Sequence, residues 1–170
     1  MAAKLLDGYS QGLPTADDMR DFGARLAALL RPGDLVILTG PLGAGKTTLT
    51  QGIGTGLGVR GHIVSPTFTI AREYPGPAGA PGLVHVDAYR LGSLDELDAL
   101  DLDTTLDESV TVVEWGAGVA EVLSEDRLEV TIDRPLGAGT GGDAFDQPSE
   151  RRVTLRASGA RWASAAWLER

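Results

Sequence analysis

The chain has 170 residues, 42% hydrophobic and 23% charged, enough apolar content for one globular core. It has no cysteine, which excludes a disulfide framework and thiolate metal sites, and neither a secretory pattern nor a run near the roughly 18 apolar residues of a membrane span; a cytoplasmic protein is expected. The net charge of −9 argues against a free-standing nucleic-acid binder, because phosphate neutralisation supplies much of such a protein's affinity.

The first predicted element is a helix within residues 14–33. Met19, Phe22, Leu26, Leu29 and Leu30 recur at helical spacing, Thr15 can cap the start, and Pro32-Gly33 stops the end. Residues 34–40, DLVILTG, form a continuous apolar run, as expected of a strand covered on both faces. A second helix follows, with Leu49, Ile53 and Leu57 four apart and an end near Gly56 to Gly58. Residues 65–74, SPTFTIAREY, read as a strand, and 75–82, PGPAGAPG, as a loop. In LVHVDAY, residues 83–89, Val84 and Val86 share one strand face, while His85, Asp87 and Tyr89 share the other.

Ser93 and Glu96 make a capping-box pair at the start of a short helix, SLDELDAL. VTVVEW, residues 110–115, is another buried strand. RLEVTI (127–132) and RRVTLRA (151–157) read as an antiparallel pair around a glycine-rich surface loop, about 136–150. SGARWASAAWLER, residues 158–170, is predicted as a final helix, with Trp162 and Trp167 only loosely on one face. No repeat or boundary divides residues 1–170. The pattern is a single α/β domain whose mixed sheet has a parallel core and antiparallel flanking strands.

Between the strand at 34–39 and the second helix lies GPLGAGKTT, Gly40 to Thr48. It matches the P-loop pattern, in the strand-then-helix context that the motif needs. Backbone N–H groups must converge on a polyphosphate, which requires glycine's freedom at positive φ and no Cβ near the ligand. The helix N-terminus adds its dipole. Lys46 supplies a mobile charge toward the β and γ phosphates, and the Thr47 hydroxyl can ligate Mg²⁺. Gly40, Leu42, Gly43, Ala44, Gly45 and Thr48 complete the candidate cradle.

Two carboxylates extend this site. Asp87 lies near a strand end, either as a Walker-B-type acid facing Mg²⁺ or as a cap on a turn. Glu114 ends the next buried strand, where doubly wound folds place their ligands. Guanine readers usually carry an Asn-Lys-x-Asp motif. This chain has no asparagine and, beyond Lys46, only Lys4, so ATP is the expected nucleotide. The thirteen arginines are scattered, with none of the basic lid of small-molecule kinases.

Gly40 to Thr48, SPTF at Ser65 to Phe68, HVDAYRL at His85 to Leu91 and VEW at Val113 to Trp115 occur in an order and spacing that resembles the TsaE (YjeE) family, over about residues 13–133. The resemblance implies a P-loop fold using Mg²⁺ and ATP. It implies an ATPase that works with the TsaD and TsaB proteins in threonylcarbamoyl modification of tRNA adenosine. Carried over to this chain, Lys46, Asp87 and Glu114 are catalytic, and Thr47, Asp87 and Glu114 hold Mg²⁺. Ser65 to Phe68 is a switch segment, Trp115 lies beside the nucleotide, and Thr15 and Thr67 are further nucleotide contacts.

The residues themselves leave alternatives open. Thr67 either meets Mg²⁺ or a water, or simply follows a proline turn that starts a strand. His85 either orients Asp87 or is a packed strand histidine. Tyr89 and Arg90 serve a partner surface or a substrate phosphate, or Arg90 is a solvated charge. A phosphotransferase acting on a small metabolite is the competing function, and the tail beyond about Pro135 has no assigned role.

Overall fold

The computed structural model describes residues 3–66, 71–88, 107–115, 124–134 and 150–168. In chain order these form β1 (Ala3–Leu5), β2 (Ser10–Leu13), α1 (Ala16–Ala27), β3 (Leu35–Thr39), α2 (Lys46–Leu57), β4 (Ala71–Tyr74), β5 (Gly82–Asp87), β6 (Ser109–Glu114), β7 (Arg127–Asp133), β8 (Arg151–Ser158) and β9 (Ala166–Leu168). Seven strands make one sheet in the order β2-β8-β7-β3-β6-β5-β4. The four central strands, β7, β3, β6 and β5, run parallel. β4 joins antiparallel on one side, β8 and β2 on the other. This is the expected α/β sheet with a parallel core.

The parallel strands owe their place to composition. Leu35, Val36, Ile37 and Leu38 of β3 are all fully buried, so both sheet faces are covered there. β7, the last of the parallel strands before β8, alternates instead, with Leu128, Val130 and Ile132 inward. Val36, Leu38, Val110, Val112, Leu128 and Val130 share one core with Met19, Phe22 and Leu26 of α1 and Leu49 and Ile53 of α2.

Thr15 caps α1 through its hydroxyl, and Asp18 returns the bond to the Thr15 backbone, a complete capping box. The helix ends at Ala27, ahead of Pro32. Ala28, Leu29 and Leu30 donate three residues back, to Arg25, Leu26 and Ala27, so the last turn tightens before the proline is reached.

α2 carries Gly52, Gly54 and Gly56 in its interior, residues that weaken an isolated helix. Close approach to α1 explains two of them. A Cβ on Gly52 would collide with the Arg20 carbonyl oxygen, and one on Gly56 would lie 2.6 Å from the Ala27 methyl. Gly52→Ala is therefore expected to destabilise by about 2 kcal/mol, although helix propensity alone favours alanine by about 1 kcal/mol. Thermal unfolding should show a Tm lower by about 5 °C. An unchanged or raised Tm would contradict the close helix contact.

The chain's ends depart from the sequence reading. Residues 158–168 form no α-helix. Ala160–Trp162 is one 3₁₀ turn, and Ala166–Leu168 is strand β9, paired antiparallel with β1. Alanine-rich local preference loses to non-local packing here. Trp167 stacks on Phe22 at 5.0 Å and Tyr9 at 5.5 Å, with the Arg25 guanidinium 4.6 Å from its ring. Arg161 anchors the turn through a two-point contact with buried Asp34, at 3.1 and 3.0 Å, and donates to the Leu29 carbonyl at 2.7 Å. The predicted helix at 93–100 and nearly all of the loop at 136–150 lie outside the described residues, as do 67–70 of the strand predicted over 65–74.

Candidate functional site

Three adjacent parallel strands end together. In the ladder, Leu38 of β3 and Asp87 of β5 both pair with Glu114 of β6. Gly40 follows β3 directly, so the glycine-rich turn opens beside both carboxylates.

The turn needs its glycines. Gly43 has φ +77° and Gly45 φ +109°, left-handed values that side chains rarely accept. Gly40 has no room for one either, since its Cβ would lie 2.7 Å from the Ile132 carbonyl oxygen. Gly45 is the N-cap of α2 and brings no side chain to occupy the first N–H groups of the helix. A phosphate is a suitable acceptor for them.

Lys46 is only 6% exposed. Its Nζ donates to the Gly40 carbonyl at 2.8 Å and the Pro41 carbonyl at 3.0 Å, and lies 4.2 Å from the Trp115 ring centre. Burial pushes its pKa below the ordinary lysine value, opposed by the nearby charges of Glu114 and Asp87. A desolvated ammonium in that position would gain from the negative charge of a polyphosphate.

Trp115 has φ +59°, an uncommon conformation for a bulky residue. Its N–H bonds the Leu38 carbonyl at 3.0 Å, which fixes the chain as it leaves β6. The strained residue adjoins Glu114, where such strain usually marks a functional turn.

A cavity of about 600 Å³ unites these groups. Leu42, Gly43, Gly45, Lys46, Thr47 and Thr48 form its P-loop wall. Asp87, Glu114 and Trp115 face them from β5 and the end of β6, and Ser65 also lines the cavity. Gly40 and Ala44 shape the turn from behind, and Ala44 is fully buried. Thr15 is the N-cap of α1, its hydroxyl donating to Asp18 at 2.6 Å, and it does not line this cavity. Thr67, Tyr89 and Arg90 lie outside the described residues.

The donors suit a hard cation. Thr47 Oγ1 donates to Glu114 Oε1 at 3.3 Å, and Asp87 pairs with Glu114 in the ladder. No group of three or more His, Cys, Asp or Glu side chains among the described residues is arranged as a metal cage. Mg²⁺ needs none, because it keeps waters and phosphate oxygens in its shell and takes only one or two carboxylates. One hydroxyl and two carboxylates beside a phosphate cradle fit that habit.

Of the two readings of His85, a packed strand histidine or a group that orients Asp87, the structure shows a fully buried imidazole that turns to Glu114. Its Nε2 lies 2.9 Å from Glu114 Oε1, across to the neighbouring strand. Arg151 was invisible to motif reading. It enters from β8 and donates to the Gly43 carbonyl at 3.2 Å. It lies 108 residues from Gly43 in sequence, and no local pattern ties it to the P-loop.

Residues 13–138 match the family model described as threonylcarbamoyl adenosine biosynthesis protein TsaE. The chain is 59% identical over 148 residues to the "tRNA threonylcarbamoyladenosine biosynthesis protein TsaE" of Streptomyces coelicolor, covering 86% of this chain and 95% of that protein. It is 41% identical to the protein of the same name from Bacillus subtilis, over 80% of this chain and 77% of the relative. The crystal structure of Bacillus subtilis YdiB superposes with a TM-score of 0.67 at 32% identity, covering 95% of this chain and 91% of YdiB. With the P-loop, both strand-end acids and this match over most of its length, the chain belongs to the TsaE family of threonylcarbamoyl adenosine biosynthesis proteins.

Proposed function

We propose that the chain binds and hydrolyses Mg-ATP in this cavity, acting with TsaD and TsaB in threonylcarbamoyl modification of tRNA adenosine. One observation carries the nucleotide part: Lys46, Thr47, Asp87 and Glu114 converge where three parallel strands and the P-loop end together. The relatives' names support the pathway.

The chain's own groups divide the work. The P-loop N–H groups and Lys46 hold the phosphates and stabilise charge as the γ-phosphoryl group leaves. Thr47, Asp87 and Glu114 would hold Mg²⁺. When bound, that ion neutralises the phosphate oxygens. The Trp115 ring lines the same cavity and shields Lys46 from water.

No helix among the described residues is long and apolar enough to cross a membrane, and the proposed work is in the cytoplasm. Partners supply the RNA contact in this reading. With a net charge of −9 the isolated chain repels a polyanion. Filter binding at physiological salt should show tRNA affinity no tighter than the non-specific range of about 10⁻⁴ M, with or without Mg-ATP. Micromolar binding by the chain alone would contradict the division of labour. The nucleotide reading is tested by hydrolysis at matched concentrations, where ATP should exceed GTP; a preference for GTP would overturn it.

A further inference from the structure

Among the described residues, both side-chain hydrogen bonds to the Glu114 carboxylate fall on one oxygen. Thr47 Oγ1 donates to Oε1 at 3.3 Å, and His85 Nε2 meets the same atom at 2.9 Å. Among the described residues no hydrogen bond reaches Oε2. One carboxylate oxygen is thus held by the protein, and the other is left for a ligand.

His85 has no packing reason to be polar. It is fully buried in β5 between Val84 and Val86, where valine would suit a strand. Its Nδ1 finds no hydrogen-bond partner among the described residues, a cost that burial alone does not explain. Its ladder partner is Val112, two residues before Glu114, so the imidazole reaches diagonally to the neighbouring strand. The bond to Glu114 is what the histidine gains for this cost.

We propose that His85 is a positioning residue of the metal–nucleotide site. Its Nε2–H fixes the Glu114 carboxylate so that the acid meets the ion through a preset oxygen. The imidazole acts through Glu114 and does not touch the ion. This inference rests on the Mg-ATP reading.

Two variants separate positioning from packing. Glutamine places its amide N–H near the Nε2 position and can still donate to Glu114. Asparagine is one carbon shorter and cannot reach. Mn²⁺ binding to each protein in the presence of ADP is read by electron paramagnetic resonance of the free ion, and ADP affinity is measured separately in EDTA. His85→Asn is expected to weaken Mn²⁺ binding by about tenfold or more, the usual effect of losing a hydrogen-bond partner behind a metal ligand. His85→Gln should restore it to near the parent value. ADP affinity in EDTA should be unchanged in both. The proposal is overturned if both variants bind Mn²⁺ as the parent does, or if both lose it equally. A parent that binds no Mn²⁺ with ADP would instead refute the metal–nucleotide reading underneath.

Discussion

Lys46→Ala is expected to weaken Mg-ATP binding by about 10²-fold or more, with the fold intact. A charged hydrogen bond contributes about 1.5–3 kcal/mol, and Lys46 would serve two phosphates, so the loss lies at or above the upper end. Stability should move little, because two terms oppose each other. The buried ammonium costs desolvation, the larger influence on its pKa, while Glu114 and Asp87 favour its charge. Removing it relieves the first and loses the second. Isothermal titration with Mg-ATP, alongside a thermal melt, checks both halves. Parent-like affinity in Lys46→Ala would remove the phosphate-cradle reading.

Glu114→Gln is expected to lower ATP hydrolysis by about 10²-fold, the scale of losing one positioned electrostatic group. The substitution keeps size and shape. An amide oxygen can still accept from Thr47 and His85, so Tm should change little. The negative charge goes, and with it the carboxylate that would hold Mg²⁺. Steady-state phosphate release, measured with TsaD and TsaB present, is the readout. Normal hydrolysis would reduce Glu114 to a buried strand end.

The P-loop was legible because its chemistry demands particular residue types at contiguous positions. Gly43 and Gly45 must take left-handed backbone, and Lys46 must open the helix. Asp87 and Glu114 were legible because an acid ending a buried apolar run has few other reasons to be there. His85 shows where such reading stops. Alternation along one strand points to Asp87 as its neighbour, while the bond to Glu114 depends on inter-strand register, which a single strand does not encode. Arg151 fails for the same reason over a greater distance. The C-terminal segment carries good local helix formers, yet Trp167 finds Tyr9 and Phe22 more than a hundred residues earlier. Strand β1, its pairing partner, has only three residues and no alternation to announce it. Gly52 and Gly56 of α2 are signals of close helix packing, which only the position of α1 makes visible.

The fate of the γ-phosphoryl group tests the central claim most directly. The purified chain is incubated with Mg-ATP labelled at the γ position, alone, with TsaD, TsaB and tRNA, and with a small-molecule extract of bacterial cells. A partner-stimulated ATPase releases the label as inorganic phosphate, fastest when TsaD and TsaB are present, and Lys46→Ala releases almost none. Label transferred to a small molecule of the extract, with no stimulation by the two proteins, would contradict it and make the chain a kinase.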